Sequence, residues 1–342
     1  MQTQTHAFAV HEPRRNVRTH RPGAIGTTVV GRPAATAGPV LTTTVPREFV
    51  HRAAVAEVLL TGWEAAGEQQ EGPGDSFVVR AQWPRGHSLF AQSGGYQDPM
   101  LLVESVRQVG SLLAHAEFAV PFGHQFMMRD IAVTTTPDLL RATPEPTELE
   151  LHTQCREVVR RGTRLSGMRY DVTAMLGGKP LATASASFTC INPDVYRRLR
   201  KDQPTGTTRA AAAPVDPATV GRLSAENVVL TEESDTADGR RSWDVRIDSS
   251  HPIFFDHPVD HIPGMVLLEA ARQAAYAATG RPDRLVTGVG GTFTRYAELD
   301  APCRIEVAPG ECAAGEMPVR VTGTQDGRAV FAAVVTLSTP AR

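Results

Sequence analysis

Three polar side chains recur together on two otherwise apolar stretches: Glu104, Arg107 and Gln108, and then Glu269, Arg272 and Gln273, 165 residues later. Spacing of i, i+3, i+4 puts each trio on one face of a helix. A charged face set among Met, Leu, Val and Ala costs free energy unless it meets a partner or a cleft. In a cleft, a partly desolvated glutamate carries a raised pKa and can act as a general base. An arginine fork beside it can hold a phosphate. The plain structural alternative is a Glu–Arg pair that ties the helix to its neighbour. His257, on the segment before the second helix, is an equally good candidate base. The backbone amides near Gly264 and Met265, where that helix starts, can polarise a carbonyl.

The elements that position these groups come in two copies. Asp98-Pro99-Met100-Leu101-Leu102-Val103-Glu104 is echoed by Pro263-Gly264-Met265-Val266-Leu267-Leu268-Glu269, and His87-Ser88-Leu89-Phe90 by His251-Pro252-Ile253-Phe254. A repeat of this length signals a duplicated domain. The apolar period predicts helices over 100–115 and 264–278, the first with Pro99 at its first position after Asp98. Strands are predicted over 54–60, 76–83, 126–134, 148–159, 165–175 and 180–191, then over 225–230, 241–247, 286–296, 303–308, 318–323 and 329–338. Each half therefore has two strands, one long helix and an antiparallel meander, which buries the helix best by wrapping a sheet around it. The fold class is α+β. The expected divisions are a mobile basic arm over 1–45, a first domain over 46–192, a linker over 193–221 with a short helix over 195–201, and a second domain over 222–342.

Composition narrows the function. The chain has 342 residues, 41% hydrophobic and 21% charged, with a net charge of −2. No basic field favours nucleic acid. No apolar run approaches the roughly 20 residues of a membrane span, and residues 1–10 are not those of a signal peptide. A cytoplasmic protein with reduced cysteines is expected. There is no Gly-x-Ser-x-Gly, no cysteine near the trios and no phosphate-binding glycine loop at Val289-Gly290-Gly291. His251, Asp256, His257, Asp260 and His261 cluster in sequence, but Pro252 and Pro258 break any helix there, so no metal and no cofactor are expected.

The element order, with His257 before Pro263-Gly264 and Glu269, resembles the hotdog dehydratases of fatty-acid synthesis, with a shorter loop. The duplicated Met-x-x-x-Glu-x-x-Arg-Gln, the Phe255-Asp256-His257-Pro258-x-Asp260-His261 run and Phe126-x-x-Arg129-Asp130 are closer to the AfsA (A-factor biosynthesis) family of tandem hotdog proteins in actinomycetes. The resemblance covers 47–192 and 222–338. It implies two tandem hotdog domains packed as an internal pseudo-dimer, within a monomer or homodimer, with acyl chains entering between the halves. It also implies transfer of a β-ketoacyl group from an acyl-carrier-protein or CoA thioester to the hydroxyl of dihydroxyacetone phosphate, the first step towards γ-butyrolactone-type signals. With no nucleophile evident, direct transfer is expected. Glu269 or His257 would be the base, Arg272 and Gln273 would hold the acceptor, and Glu104, Arg107 and Gln108 would form a second site or support the first. The second half is favoured, because the first has Gly94-Gly95-Tyr96 in place of the His257 loop. Arg160, Arg161, Arg164 and Arg169, or Arg197, Arg198, Arg200 and Lys201, would dock an acidic carrier protein. The rivals are a hotdog thioesterase or dehydratase and a non-catalytic acyl-ligand sensor.

Overall fold

Two helices sit where the apolar period put them, and both are buried almost all round. The computed structural model describes residues 41–67, 75–201, 203, 212–235 and 241–339; most of the predicted basic arm and the centre of the predicted linker lie outside the described residues. In chain order the elements are β1 (Leu60–Ala65), β2 (Ser76–Trp83), α1 (Met100–Ala116), β3 (Gln125–Thr135), β4 (Thr147–Arg161), β5 (Arg164–Leu176), β6 (Lys179–Ile191) and α2 (Pro193–Leu199). They continue with β7 (Ser234–Asp235), β8 (Arg241–Asp244), α3 (Gly264–Thr279), β9 (Leu285–Phe293), β10 (Arg304–Pro309), β11 (Glu316–Gln325) and β12 (Arg328–Ser338). The predicted short helix starts two residues early, at Pro193, and Asn192 caps it through the amide of Asp194.

All twelve strands form one antiparallel sheet in the order β1-β2-β4-β5-β6-β3-β9-β12-β11-β10-β8-β7. Read outward from the centre, each half has the same order: the strand after the helix, then the last, the middle and the first of the meander, then the two strands before the helix. The halves join where β3 pairs with β9, with Ala132 opposite Gly290. Gly291 makes room at that seam, since a Cβ there would come within 2.6 Å of the Leu268 side-chain tip on α3 and force it to shift. This large antiparallel sheet around long buried helices fits the hotdog fold.

Two predicted strands are not strands. Residues 55–57 and 225–227 form single 3-10 turns, Val55–Glu57 and Ala225–Asn227. The turn residues are exposed or half-buried. The apolar residues that follow, Val58, Leu59, Val228 and Val229, are buried, and there backbone amides bond the helices instead of a strand: Leu59 N donates to Gln108 and Val229 N to Gln273. A side-chain acceptor on the helix has replaced a ladder partner.

Candidate active site

Glu269 lies wholly buried on α3, under a roof of donors. Arg222 donates Nε to Oε1 at 2.8 Å, Arg272 donates Nε to Oε2 and Nη2 to Oε1, both at 3.0 Å, and Gln273 donates Nε2 to Oε1 at 2.5 Å. Arg272 turns its remaining Nη1 to Asp98 at 2.8 Å, across in the first half. Glu104 on α1 is held alike. Arg107 donates Nε at 2.8 Å and Nη2 at 2.7 Å, Gln108 donates Nε2 at 2.7 Å, and Arg52 lies 2.7 Å away. Both trios are thus ion-paired braces, the plain alternative left open by their spacing. Neither carboxylate has a face open to substrate, which argues against Glu269 or Glu104 as proton acceptor. The fork of Arg272 is filled by two carboxylates and does not reach out for a phosphate. A buried carboxylate on an apolar helix is tolerable only with such cations around it.

The two braces differ in charge. Burial alone would raise Glu104, but Arg107 and Arg52 outweigh it and hold its carboxyl down at about 2. Burial pushes Glu269 up to about 7 despite Arg222, with a second carboxylate, Asp98, adding to the rise. Burial raises Asp98 as well.

His257 does not meet Glu269. Its loop crosses to the first half, where Asp256 accepts the amide of Ala53 at 2.9 Å, lies 3.7 Å from Arg52, and takes His257 Nδ1 at 2.5 Å. Arg52, Asp256 and His257 wall a cavity of about 270 Å³ between the halves. Its floor is α1 at Arg107, Gly110 and Ser111; opposite stands the start of α3, Pro263 to Met265. The first-turn amides of a helix lack partners within it, and α3 has no side-chain cap. In α1 that place is taken, because Asp98 accepts the amide of Met100 at 2.9 Å. Of the two helix starts, only that of α3 lines this cavity. Gly264 lets it close on Phe293, whose ring a Cβ would approach to 3.3 Å.

Four arginines line this cavity, Arg52, Arg107, Arg129 and Arg295, against one acid, Asp256. Arg129 stands at a bulge where β3 shifts register against β6, and the next residue, Asp130, is anchored by both oxygens to Arg169 at 3.0 Å. Arg129 and Arg295 are exposed, and neither forms an ion pair among the described residues. Phe126, Met128, Tyr170 and Phe188 supply an apolar side. Gly110 admits Tyr170 against α1, whose Val106 carbonyl accepts the Tyr170 hydroxyl at 2.8 Å.

The counterpart space at the opposite pole is smaller, about 170 Å³, and is walled by Asp98, Arg222, Arg272 and the Gly94 turn. Tyr276, 165 residues after Ser111, enters it and donates to the Arg284 carbonyl at 3.0 Å. The expected grouping of Glu269, Arg272 and His257 is therefore divided between two poles, because each pre-helix loop reaches over to the other half's helix.

The basic patches are reduced in the fold. Arg200 is tied to Glu298 at 2.6 and 2.7 Å and to Asp260 at 3.1 Å, and it covers the Tyr296 ring at 4.6 Å. Arg169 is spent on Asp130, and Arg197 pairs with Asp194. Arg160, Arg161 and Arg164 remain exposed at the β4–β5 tip. His257 and His261 take separate carboxylates, Asp256 and Asp260; among the described residues no three His, Cys, Asp or Glu converge as metal ligands.

Sequence reasoning overlooked Arg52 and Arg222, and His51 on the cavity wall. A signal for the arginines was present: Val-x4-Val-x-Arg-x5-Val-x-Leu begins at both Val45 and Val215. Its offset, 170 instead of 165, hides it from a search carried upstream from the helices.

The profile of the A-factor biosynthesis hotdog domain matches residues 34–192 and 204–340. A 2-oxo-3-(phosphooxy)propyl 3-oxoalkanoate synthase of Streptomyces virginiae is 48% identical over 297 residues, covering 86% of this chain and 98% of that protein. Proteins of the same name from Streptomyces coelicolor and Streptomyces griseus are 42% and 35% identical, covering 87% and 84% of this chain and 92% and 93% of their own lengths. The matched segments carry both braces and every wall of the larger cavity; the chain belongs to the A-factor biosynthesis hotdog family.

Proposed function

We propose that this chain is a 2-oxo-3-(phosphooxy)propyl 3-oxoalkanoate synthase, an acyltransferase that moves a β-ketoacyl group from a thioester to the hydroxyl of dihydroxyacetone phosphate. The name of the relatives supplies the product. The observation that carries the reading to this molecule is the larger cavity, which brings open helix amides, unpaired arginines and imidazoles together beside an apolar wall.

The roles follow from what each group offers. The thioester carbonyl lies at the start of α3, where the amides near Gly264 and Met265 take the developing oxyanion. The acyl chain runs along Phe126, Met128 and Phe188. Arg129 and Arg295 grip the acceptor phosphate at the rim in place of Arg272. Arg107, its fork aligned by Glu104, supports the reacting end. His257, its Nδ1–H held by Asp256, turns its Nε2 lone pair to the mouth, where it can accept a hydrogen bond. Glu269, Arg272 and Gln273 brace the other pole. The two hotdog units form an internal pseudo-dimer with a single working site.

The test is mass spectrometry of the purified protein with a β-ketoacyl thioester, with and without dihydroxyacetone phosphate. An acceptor-dependent phosphorylated ester, lost on replacing Arg129 and Arg295, is expected. Free β-keto acid formed equally without acceptor would mean a thioesterase, and an intact thioester would mean an acyl-ligand sensor.

A further inference from the structure

The larger cavity holds a second imidazole arrangement that the sequence did not foretell. His51 lines the wall and sits 2.7 Å, Nε2 to Nε2, from His115 on α1. His115 Nδ1 lies 2.7 Å from the Val120 carbonyl, which can only accept. His115 must therefore carry its proton on Nδ1, and its Nε2 is a lone pair. His51 must then donate from Nε2, which leaves its own Nδ1 as a bare acceptor. Among the described residues no protein group bonds that Nδ1, and it is not one of the sealed-off polar atoms. The backbone points the same way. His51 has φ of 53°, a region that favours glycine, and the residue 170 positions later is Gly221 with φ of 66°. A non-glycine residue held in that region is strained, and such strain clusters at functional sites. Phe126 meets the His51 ring edge-on at 4.7 Å, Phe49 stacks on His115, and Phe122 lies tilted against it.

We infer that His51 is the base of this cavity, and that His115 is the positioning residue that fixes its tautomer. The inference rests on the synthase reading. As the acceptor oxygen bonds to the thioester carbonyl carbon, its proton passes to His51 Nδ1. The tetrahedral carbon then expels the sulfur, which takes that same proton from His51 Nδ1, and the imidazole returns to its neutral starting state. Nothing is oxidised or reduced. Burial holds His51 down at about 3, and its neighbours further disfavour a charge there: the imidazole of His115 and the guanidinium of Arg107 on α1, and the imidazole of His257 on the opposite loop. His115 is also lowered by burial. The His51 ring is therefore neutral at working pH, with a lone pair on Nδ1, and so lowered a base holds the proton only in passing before handing it on.

Two measurements test this. In the free protein, nitrogen-15 NMR of the imidazoles at pH 6 should find His51 neutral with its proton on Nε2 and His115 neutral with its proton on Nδ1. A charged His51, or the opposite tautomers, overturns the proposal whatever reaction the protein runs. In turnover, His51→Gly relieves the backbone strain, so its melting temperature should hold while kcat falls on the order of 100-fold and added imidazole restores part of it. His51→Asn, which also tolerates positive φ and can accept a hydrogen bond but not a proton, should be equally slow. Activity of either variant within threefold of the parent overturns the assignment. If the parent protein makes no phosphorylated ester, it is the synthase reading that fails, and the NMR result still judges His51.

Discussion

Arg52 and Arg222, 170 residues apart, brace the two long helices in the same way. Arg52 lies against Glu104 on α1 and donates Nη1 to the Ile253 carbonyl of the other half at 2.9 Å. Arg222 lies against Glu269 on α3 and donates Nη1 to the Leu89 carbonyl of the other half. Each bond ties a helix of one half to the pre-helix loop of the other, so the loop that faces a given helix is never its own. That single crossing decides which groups share a cavity.

The charge difference between the braces gives a stability prediction. The Glu104 carboxyl is held at about 2, below its ordinary value. Its stabilisation is thus complete above about pH 4.5 and is lost as pH falls towards 2. Glu269 is raised to about 7. The protonated form it prefers helps the fold most at low pH, and that help is lost as pH rises through 7. Glu104→Gln should cost about 3–5 kcal/mol, equally at pH 5 and pH 8. Glu269→Gln should cost less at pH 8 than at pH 5. Thermal melts of both variants and the parent at the two pH values check this, and a Glu269→Gln cost that grows with pH would reverse the charge assignment.

Arginine replacements separate binding from bracing. Arg272→Ala leaves Glu269 and Asp98 short of a buried cation, so it should lower stability by about 3–5 kcal/mol. Arg129→Ala and Arg295→Ala remove exposed guanidinium groups, so their folds should melt within about 0.5 kcal/mol of the parent. The kinetic effect should run the other way. Loss of a charge-assisted contact of about 1.5–3 kcal/mol raises the KM for dihydroxyacetone phosphate roughly 10- to 100-fold without changing the KM for the thioester. Steady-state kinetics with each substrate varied in turn decides the matter. An unchanged acceptor KM in both rim variants would place the phosphate elsewhere.

Much of this was legible in the chain, for physical reasons. The helices announced themselves because both are apolar nearly all round, and each trio sat on one face because 3.6 residues make a turn. The β4–β5 and β5–β6 hairpins could be read from Arg160-Arg161-Gly162-Thr163 and Leu176-Gly177-Gly178-Lys179, whose glycines take positive φ. What the chain did not disclose is which pole each loop serves. His257 and Glu269 are 12 residues apart and look like one site; they are separated because Asp256 is drawn to Arg52 and Ala53 of the first half. The 3-10 turns at 55–57 and 225–227 were mistaken for strands because they run straight into the buried apolar residues 58–60 and 228–230, where the amides of Leu59 and Val229 are satisfied by Gln108 and Gln273, a pairing that no local pattern encodes.

Ser111 and Tyr276 occupy corresponding turns of α1 and α3, and only the serine leaves space beneath the cavity. Ser111→Tyr should fill the floor where the acyl chain would run. Activity should fall at least tenfold, and the loss should be steeper for long acyl chains than for short ones. Stability should change by no more than about 1–3 kcal/mol, the usual range for overpacking. Tyr276→Ser enlarges the opposite space but brings it no imidazole, so it should create no second activity. Turnover with a series of acyl lengths reads both results. If Ser111→Tyr keeps full activity with long chains, the chain does not lie there.

The arginine tip of the first half has an acidic counterpart in the second. Arg160, Arg161 and Arg164 crowd the β4–β5 turn, whose ladder runs out to the Arg161–Arg164 pair. The matching β10–β11 connection carries Glu311 and Glu316, and its ladder stops at Pro309 and Val319. Arg160 lies over the Phe118 ring at 5.6 Å, at the end of α1, and the half-exposed Phe122 packs on His115 at 4.9 Å, two contacts from the cavity. An acidic carrier protein delivering its thioester arm to the mouth would meet this tip and not the other. Reversing Arg160, Arg161 and Arg164 to Glu should therefore raise the KM for a carrier-bound β-ketoacyl donor at least about tenfold, with a strong dependence on salt in the parent. The KM for the same acyl group on CoA should change less than twofold. Equal effects on both donors would make the tip part of general substrate binding, and no effect on either would leave it as solvated surface.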